Sequence, residues 1–352
     1  MKNIFFAIML ISILSCNKKR NIEKIIKVTK PTEIVGALTI KKSVDSLKET
    51  DFIGTIENPF IKNKNNIYSP TLAFCWNEIE KKLPNIKIET STNNNDFSLL
   101  NKTKTYIHSL NKNEYKTEIV IKDDTIIAKS EYNLELTFNP FLEKFDYPIT
   151  FKNVQVDGFG MSEWDDEKVK LLEIIYFEDN DNFIFKLKPS ESTNELIFIK
   201  GLNSEKANSF KNIIEMYENR KAKGNKERKS KKNSWKYTLD YAETFSVPEL
   251  CFDLEKEYQT IQGRTFMSEN ESYVIAQVKQ RIALKLNNKG AKIISEASMM
   301  TACTDADAPV KIVKNLCLNN TFYILIKHIN KVNPYFCAKI DNTELMTKST
   351  IK

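Results

Sequence analysis

Leu318-Asn319-Asn320-Thr321-Phe322-Tyr323-Ile324-Leu325-Ile326 and, eight residues further on, Pro334-Tyr335-Phe336-Cys337-Ala338-Lys339-Ile340 carry the reading of the fold. The first stretch holds a strand-like run from Thr321 to Ile329 with no helical spacing. Upstream, Tyr273 to Leu286 reads as a long strand, because Ile282, Leu284 and Leu286 alternate with small or polar residues. Tyr237 to Pro248 is a third strand-like run. Leu171 to Phe177 and Phe183 to Lys188 flank a Glu-Asp-Asn-Asp-Asn turn, and Glu118 to Lys122 and Thr125 to Lys129 flank Asp123-Asp124. Both patterns predict β-hairpins.

Helical spacing is confined to three places. Thr32 to Glu49 has a capping threonine and places Val35, Leu38, Val44 and Leu47 near one face. Thr71 to Leu83 places Leu72, Cys75, Trp76, Ile79 and Leu83 at helical intervals. Ser204 opens a third helix whose apolar face is Ala207, Phe210, Ile213, Ile214 and Tyr217. Ser91 to Asp96 reads as a polar loop. Helices first and strands afterwards predict an α+β fold with mixed, mostly antiparallel sheets and amino-terminal helices.

The composition sets the bounds. The chain has 352 residues, 41% of them hydrophobic, 28% charged and 11% aromatic. That excludes a disordered chain and a multi-spanning membrane protein. Two histidines, His108 and His328, leave almost no material for histidine metal sites or nucleophile triads. Neither a P-loop nor GxSxG, HExxH or a full GxGxxG occurs. Gly158-Phe159-Gly160 reads as part of a turn, and Asp165-Asp166-Glu167 as a solvated loop. The expectation is a non-enzyme with no cofactor and no metal.

At the start, Lys2 precedes an apolar run from Ile4 to Leu14 that is too short to span a bilayer. Its end, Ile13-Leu14-Ser15-Cys16, resembles the bacterial lipoprotein box. That resemblance implies a signal over 1–15, cleavage before Cys16, acylation of its sulfur, and a tether over 16–31. It makes the chain a bacterial envelope protein anchored to the membrane by lipid, with one domain over 32–352. Cys75, Cys251, Cys303, Cys317 and Cys337 show no CxxC pair or zinc spacing. Cys75 and Cys337 read as small buried hydrophobes.

The carboxyl-terminal stretches resemble the last strand pair of serpins. Other matches follow in serpin order. Asn66-Ile67-Tyr68-Ser69-Pro70 resembles the strand-to-helix signature, and Lys129-Ser130-Glu131-Tyr132 stands where the family has Lys-Gly-x-Trp. Leu171 to Pro189 resembles the paired strands of sheet B, and Val247-Pro248-Glu249-Leu250 the Leu-Pro-Lys-Phe strand start. Ile282 to Ala291 resembles the strand leading into the hinge of the reactive-centre loop. There are departures too. The stretch between Pro70 and Glu118 is shortened, Tyr132 replaces a tryptophan, and Asn288-Lys289 replace an acidic pair. Ile293 and Ile294 interrupt a run of alanines.

The resemblance implies an exposed bait loop after a hinge at Gly290, Ala291, Ile293, Ser295 and Ala297. A serine or cysteine protease would cut it and be caught as an acyl-enzyme while the loop inserts as a new strand. An inserted strand buries alternate side chains. Ala291, Ile293, Ser295, Ala297, Met299, Thr301 and Cys303 carry no charge, whereas the other set holds Lys292 and Glu296. Ile293 is the bulky member, and overfilling a packed site costs ~1–3 kcal/mol. Family spacing sets the bait bond at Thr304-Asp305. The alternative is a non-inhibitory serpin-fold binding module on the envelope.

One segment stands apart from the resemblance. Arg220, Lys221, Lys223, Lys226, Arg228, Lys229, Lys231 and Lys232 face a single acid, Glu227, so this stretch holds a charge of +7, equal to that of the whole chain. It reads as a solvated loop between a helix ending near Asn219 and a strand starting near Trp235. Its partner of interest is an anionic glycan or lipid. No aromatic residues interleave with it, which argues against specific nucleic acid.

Overall fold

Five sheets and three helices build the chain in the computed structural model, which describes residues 40–88, 95–122, 125–191, 193–202, 206–293 and 313–348. All of these lie in the compact unit that begins at Glu33.

The most buried sheet has seven strands in the order Leu172–Asp179, Asn182–Leu187, Asn194–Lys200, Phe322–His328, Phe336–Ile340, Asn65–Tyr68 and Thr50–Phe52. The two carboxyl-terminal stretches form neighbouring antiparallel strands, with Phe322 opposite Ile340 and Ile326 opposite Phe336. Every residue of Asn194–Lys200 and Phe322–His328 is buried. Both strands are covered on two faces, which is why their apolar runs are continuous rather than alternating. Phe183, Phe185, Phe198, Ile324 and Ile326 feed the main core; Ile184, Ile197, Ile199, Tyr323 and Leu325 feed a second core under a helix. At the predicted hairpin, the Asp179 carboxylate accepts from the Asp181 amide at 2.8 Å and the Asn182 side chain at 2.9 Å, closing the turn locally.

Helix α1, Thr71–Lys82, follows the strand Asn65–Tyr68 directly. It buries Leu72, Phe74, Trp76 and Ile79 against the hairpin Tyr115–Lys122 and Thr125–Tyr132. Helix α2, Asn95–Lys102, replaces the end of the predicted polar loop, and Phe97 and Leu100 are its buried side chains. Helix α3, Phe210–Glu227, covers the second core with Phe210, Ile213, Ile214 and Tyr217. Its cap is Ser209, which accepts from the Asn212 amide at 3.3 Å; Ser204 lies outside the described residues. Gly224 sits where the helix presses on the strand Leu172–Asp179. A Cβ there would stand 2.1 Å from the Ile175 carbonyl oxygen.

Several expectations are corrected. Residues 40–49 are not helical. Lys42–Ser43 is a strand parallel to Leu254–Glu255, and Val44–Ser46 is a single 3₁₀ turn. The amides of Lys48 and Glu49 donate to the Glu344 carboxylate instead of to helix carbonyls. The run Tyr273 to Leu286 is two strands in different sheets, Glu271–Ile275 and Lys279–Asn287. The run Tyr237 to Pro248 keeps only Thr244–Pro248 as strand. Asp240 and Glu243 close a turn before it, the Asp240 amide donating to the Glu243 carboxylate at 2.9 Å. Gly158–Met161 is a strand rather than a turn, because Phe159 and Met161 are buried between its neighbours Thr244–Pro248 and Glu143–Lys144. No helix among the described residues is long and apolar enough to cross a membrane.

Candidate functional site

Of the hinge residues, Gly290, Ala291 and Ile293 lie inside a sheet. Lys279–Asn287 turns at Asn288-Lys289 and returns as Gly290–Ile293. The returning strand pairs antiparallel with both neighbours. On one side Asn287, Leu286 and Lys285 face Gly290, Ala291 and Lys292. On the other, Gly290 faces Thr137 and Ile293 faces Leu134, in the strand Leu134–Thr137. The sheet order is Lys42–Ser43, Leu250–Glu257, Lys279–Asn287, Gly290–Ile293, Leu134–Thr137.

The turn that replaces the acidic pair is tied down. The Asn288 carbonyl accepts from the Leu142 amide at 2.9 Å, and its side chain donates to the Leu142 carbonyl at 3.1 Å. Gly290 has φ +145°, and a Cβ would lie 2.0 Å from the Leu136 carbonyl oxygen, so only glycine fits. Ala291 and Ile293 are buried in the main core with Leu136, Phe138, Leu284 and Leu286. The bulk of Ile293 is accommodated at 2% exposure. Lys292, expected to face water, is instead 4% exposed, with its Nζ 3.8 Å from the Glu135 carboxylate. Both faces of the hinge strand are therefore covered.

Further along the strand Lys279–Asn287, past the residues that pair with the hinge, begins a chain of hydrogen bonds that the sequence did not signal. The Gln280 amide nitrogen donates to the Ser69 carbonyl and the Thr71 hydroxyl, each at 2.9 Å. The Tyr258 hydroxyl donates to the Gln280 carbonyl oxygen at 2.7 Å. The Ser69 hydroxyl donates to the Tyr132 oxygen at 3.1 Å, and the Tyr132 hydroxyl donates to the Tyr335 carbonyl at 3.0 Å. The Tyr335 hydroxyl ends on the Asn194 side chain at 2.9 Å. An indole has no acceptor, so a tryptophan at position 132 could not serve both bonds.

The described residues resume at Val313, and that part of the chain is also held. The Asn180 side chain donates to the Val313 carbonyl at 3.1 Å and accepts from the Asn315 amide at 3.0 Å. The Lys314 ammonium lies 2.7 Å from both Glu243 carboxylate oxygens. Ser295, Ala297, Thr304 and Asp305 lie outside the described residues, as does Cys16. Cys75 and Cys337 are free thiols. Burial pushes the Cys75 thiol up to about 12, as expected of an inert packing residue.

A second buried polar group lies where Pro248 passes the chain from one sheet to the next. Three backbones close a ring there: Asp157 N–H to Thr347 carbonyl, Thr347 N–H to Glu249 carbonyl, Glu249 N–H to Asp157 carbonyl. Both Asp157 carboxyl oxygens are buried without a hydrogen-bond partner. Burial, and then the Glu249 carboxylate, push the Asp157 carboxyl up to about 7, against the pull of Lys144. Burial raises Glu249 as well.

The basic segment is not a loop. α3 continues through it to Glu227, and half of its charges are spent. The Arg220 guanidinium lies 5.0 Å from the Tyr176 ring. Lys223 donates to the Tyr176 hydroxyl at 3.0 Å. Arg228 donates to the Ile174 carbonyl at 2.7 Å and lies 4.9 Å from the Tyr237 ring. Lys221 is 3.7 Å from Glu218 and 5.3 Å from the Tyr217 ring. The aromatic partners absent from the segment come from other elements. Lys226, Lys229, Lys231 and Lys232 remain exposed.

No family model and no curated protein matches the chain. Part of the chain is similar to solved structures. Serpin48, a highly specific serpin of the insect Tenebrio molitor, is 13% identical over 61% of this chain and 55% of its own, with a TM-score of 0.32. A serpin from Schistosoma mansoni is 15% identical over 63% and 56%, at 0.35. Thyroxine-binding globulin in complex with thyroxine is 12% identical over 62% and 56%, also at 0.35. This chain spans a little over half the length of those proteins. The chain's own elements can be set against the sequence resemblance: the closing strand pair, joined to the Leu172–Leu187 hairpin through Asn194–Lys200, the strand Asn65–Tyr68 leading into α1, and the strand Gly290–Ile293 after Lys279–Asn287. That order of elements is the one the sequence resemblance implies. Within it, the α+β arrangement and the mostly antiparallel sheets agree with the sequence expectation, in the shortened form that its spacing implied.

Proposed function

We propose that the chain is a serpin-like inhibitor of a serine or cysteine protease, acting by cleavage of the loop after Ile293 and insertion of that loop into the five-stranded sheet. The supporting observation is the place of Gly290–Ile293, already threaded between Lys279–Asn287 and Leu134–Thr137. Carried on one residue at a time, that register sets Ser295 opposite Ile282, Glu296 opposite Arg281 and Ala297 opposite Gln280. Gln280, Ile282, Leu284 and Leu286 form the buried row of their strand, and Lys279, Arg281, Ala283 and Lys285 the other, in which only Ala283 is fully buried. The uncharged set of loop residues thus continues over the buried row, and Glu296 meets an arginine. Cleavage between Met299 and Val310, with Thr304-Asp305 the proposed bond, frees the segment to extend.

The deciding experiment is proteolysis with a panel of serine and cysteine proteases. A covalent complex that survives a denaturing gel, and a sharp rise in the thermal midpoint on cleavage, are expected. If neither appears, the chain is a serpin-fold binding module. Burial of Lys292 favours that second reading, since a charge held in the hinge resists further zipping. We also propose that Cys16 carries the lipid that holds the protein on a bacterial membrane. An acyl-chain analogue should label the wild type and not Cys16→Ser.

A further inference from the structure

The eight basic residues of 220–232 divide into two groups of four, and only the second is without a partner in the fold among the described residues. Arg220, Lys221, Lys223 and Arg228 are committed to Tyr176, Tyr217, Tyr237 and the Ile174 carbonyl. Lys226, Lys229, Lys231 and Lys232 are exposed, and among the described residues none has a carboxylate within ion-pair distance. Four like charges on one short segment repel each other, and the one acid of the segment, Glu227, is paired with Lys223 and Lys236 instead.

Their arrangement is preorganised. From Gly224 to Lys236 the backbone is a run of tight turns: Arg228 N–H to Gly224, Lys229 N–H to Lys226, Ser230 N–H to Glu227, Ser234 N–H to Ser230, Lys236 N–H to Asn233. At the rise of helical turns, Lys226 and Trp235 stand within about 15 Å along the chain. The close contact of Gly224 with Ile175 and the Arg228 bond to Ile174 fasten this segment to the sheet beneath. Trp235 ends the segment at 45% exposure. Its ring meets Phe177 edge-on at 6.2 Å and lies 5.1 Å from the Lys314 ammonium.

We infer that the end of α3 and the turn after it form a docking surface for an anionic phospholipid bilayer, with four lysines on the headgroup phosphates and Trp235 at the headgroup boundary. Three observations favour this occupant. The free cations are all lysines, point charges suited to mobile phosphates; the bidentate arginines are the ones turned inward. An exposed indole beside cations is the side chain that settles at a membrane interface. A single exposed aromatic gives no ladder on which successive bases could stack. This surface lies outside the five-stranded sheet, so it stands whether or not the loop inhibits a protease.

The test uses the full chain and sedimentation with two kinds of vesicle, phosphatidylcholine alone and phosphatidylcholine with 30% phosphatidylglycerol. Any acyl anchor acts equally on both, so the ratio of the two partition coefficients isolates the headgroup charge. At low salt we expect that ratio to exceed about a hundredfold, from roughly fivefold per lysine, and to collapse in 0.5 M salt. Lys226→Gln/Lys229→Gln/Lys231→Gln/Lys232→Gln should abolish it. The thermal midpoint should not fall, because among the described residues these side chains form no hydrogen bond or ion pair and their removal relieves mutual repulsion. The fluorescence of the wild type should shift to the blue on the anionic vesicles only, and Trp235→Phe should lose that shift. Equal partition into both vesicles, or a quadruple variant that still prefers the anionic ones, overturns the proposal. So does tight binding to dextran sulfate with no Trp235 shift on vesicles, which would make the surface a glycan site.

Discussion

Gln280 and Ser69 are 211 residues apart in the chain, yet the Gln280 side-chain amide donates to the Ser69 carbonyl at 2.9 Å. The bond joins the strand that carries the hinge to the entrance of α1. The same nitrogen also holds Thr71, and the Gln280 oxygen holds Tyr258, all of it buried. That end of the strand is therefore fixed to the entrance of α1 by polar contacts rather than by apolar packing alone.

Gln280→Leu should destabilise the protein by about 2–4 kcal/mol. The leucine fills similar volume but leaves the Ser69 carbonyl and two hydroxyls buried without partners. Tyr258→Phe removes one bond and should cost about 1 kcal/mol. Denaturant midpoints of the two variants check the order.

Gly290→Ala should cost more than either, at least ~3 kcal/mol, because the new methyl meets the Leu136 backbone at 2.0 Å and the backbone angle disfavours any side chain. The hinge strand would leave its place between Leu286 and Leu136. Faster hydrogen exchange at the Ala291 and Ile293 amides is the expected signature.

The Asp157 carboxyl lends the fold a pH dependence. Its folded value of about 7 lies above its unfolded value of 3.8. Below pH ~4 both states hold the proton and the group imposes no penalty. Between ~4 and ~7 the unfolded chain ionises first, so the folded state binds more protons and stability falls as pH rises. Above ~7 the loss is complete, at most about 4 kcal/mol at 1.36 kcal/mol per unit. Asp157→Asn should leave stability near pH 4 unchanged, raise it at pH 8 and flatten the profile between. Thermal melts across that range measure it, and a variant with the wild-type slope would show that another group titrates.

The proposed insertion predicts opposite effects for two neighbouring loop residues. Ser295→Arg would place an unpaired charge opposite Ile282 in the buried row, at several kcal/mol, and should block the rise in thermal midpoint on cleavage. Glu296→Arg falls on the less buried row and should leave most of the rise, reduced by repulsion from Arg281. Differential scanning of intact and cleaved protein separates the two.

Legibility followed the range of the interactions. α1 is readable to within a residue, because Leu72, Trp76 and Ile79 recur at helical intervals and Pro84 ends the run. The hairpin at Asp179 is readable for the same reason: its turn is closed by side chains two and three residues away. Residues 40–49 mislead, because their apolar spacing suits a helix while their amides are claimed by Glu344, nearly three hundred residues later. The run from Tyr273 misleads too, since a strand that changes sheets keeps the same alternation on both sides of the break.

The sequence by itself determined the pattern of apolar and polar side chains, and with it the α+β class, the central strands, α1, and the order of segments that resembles a serpin. Those features follow from periodicity, which is a local property of the backbone. The tertiary structure alone decided that Lys292 is buried in the hinge, and that Tyr132 joins Ser69 to the last strand pair. It also decided that Arg220, Lys223 and Arg228 are spent on aromatic rings while four lysines stay free, and that Asp157 is closed off from water. A side chain's charge is written in the sequence. Its partner, and the solvent around it, depend on which distant segments the folded chain brings within a few ångströms.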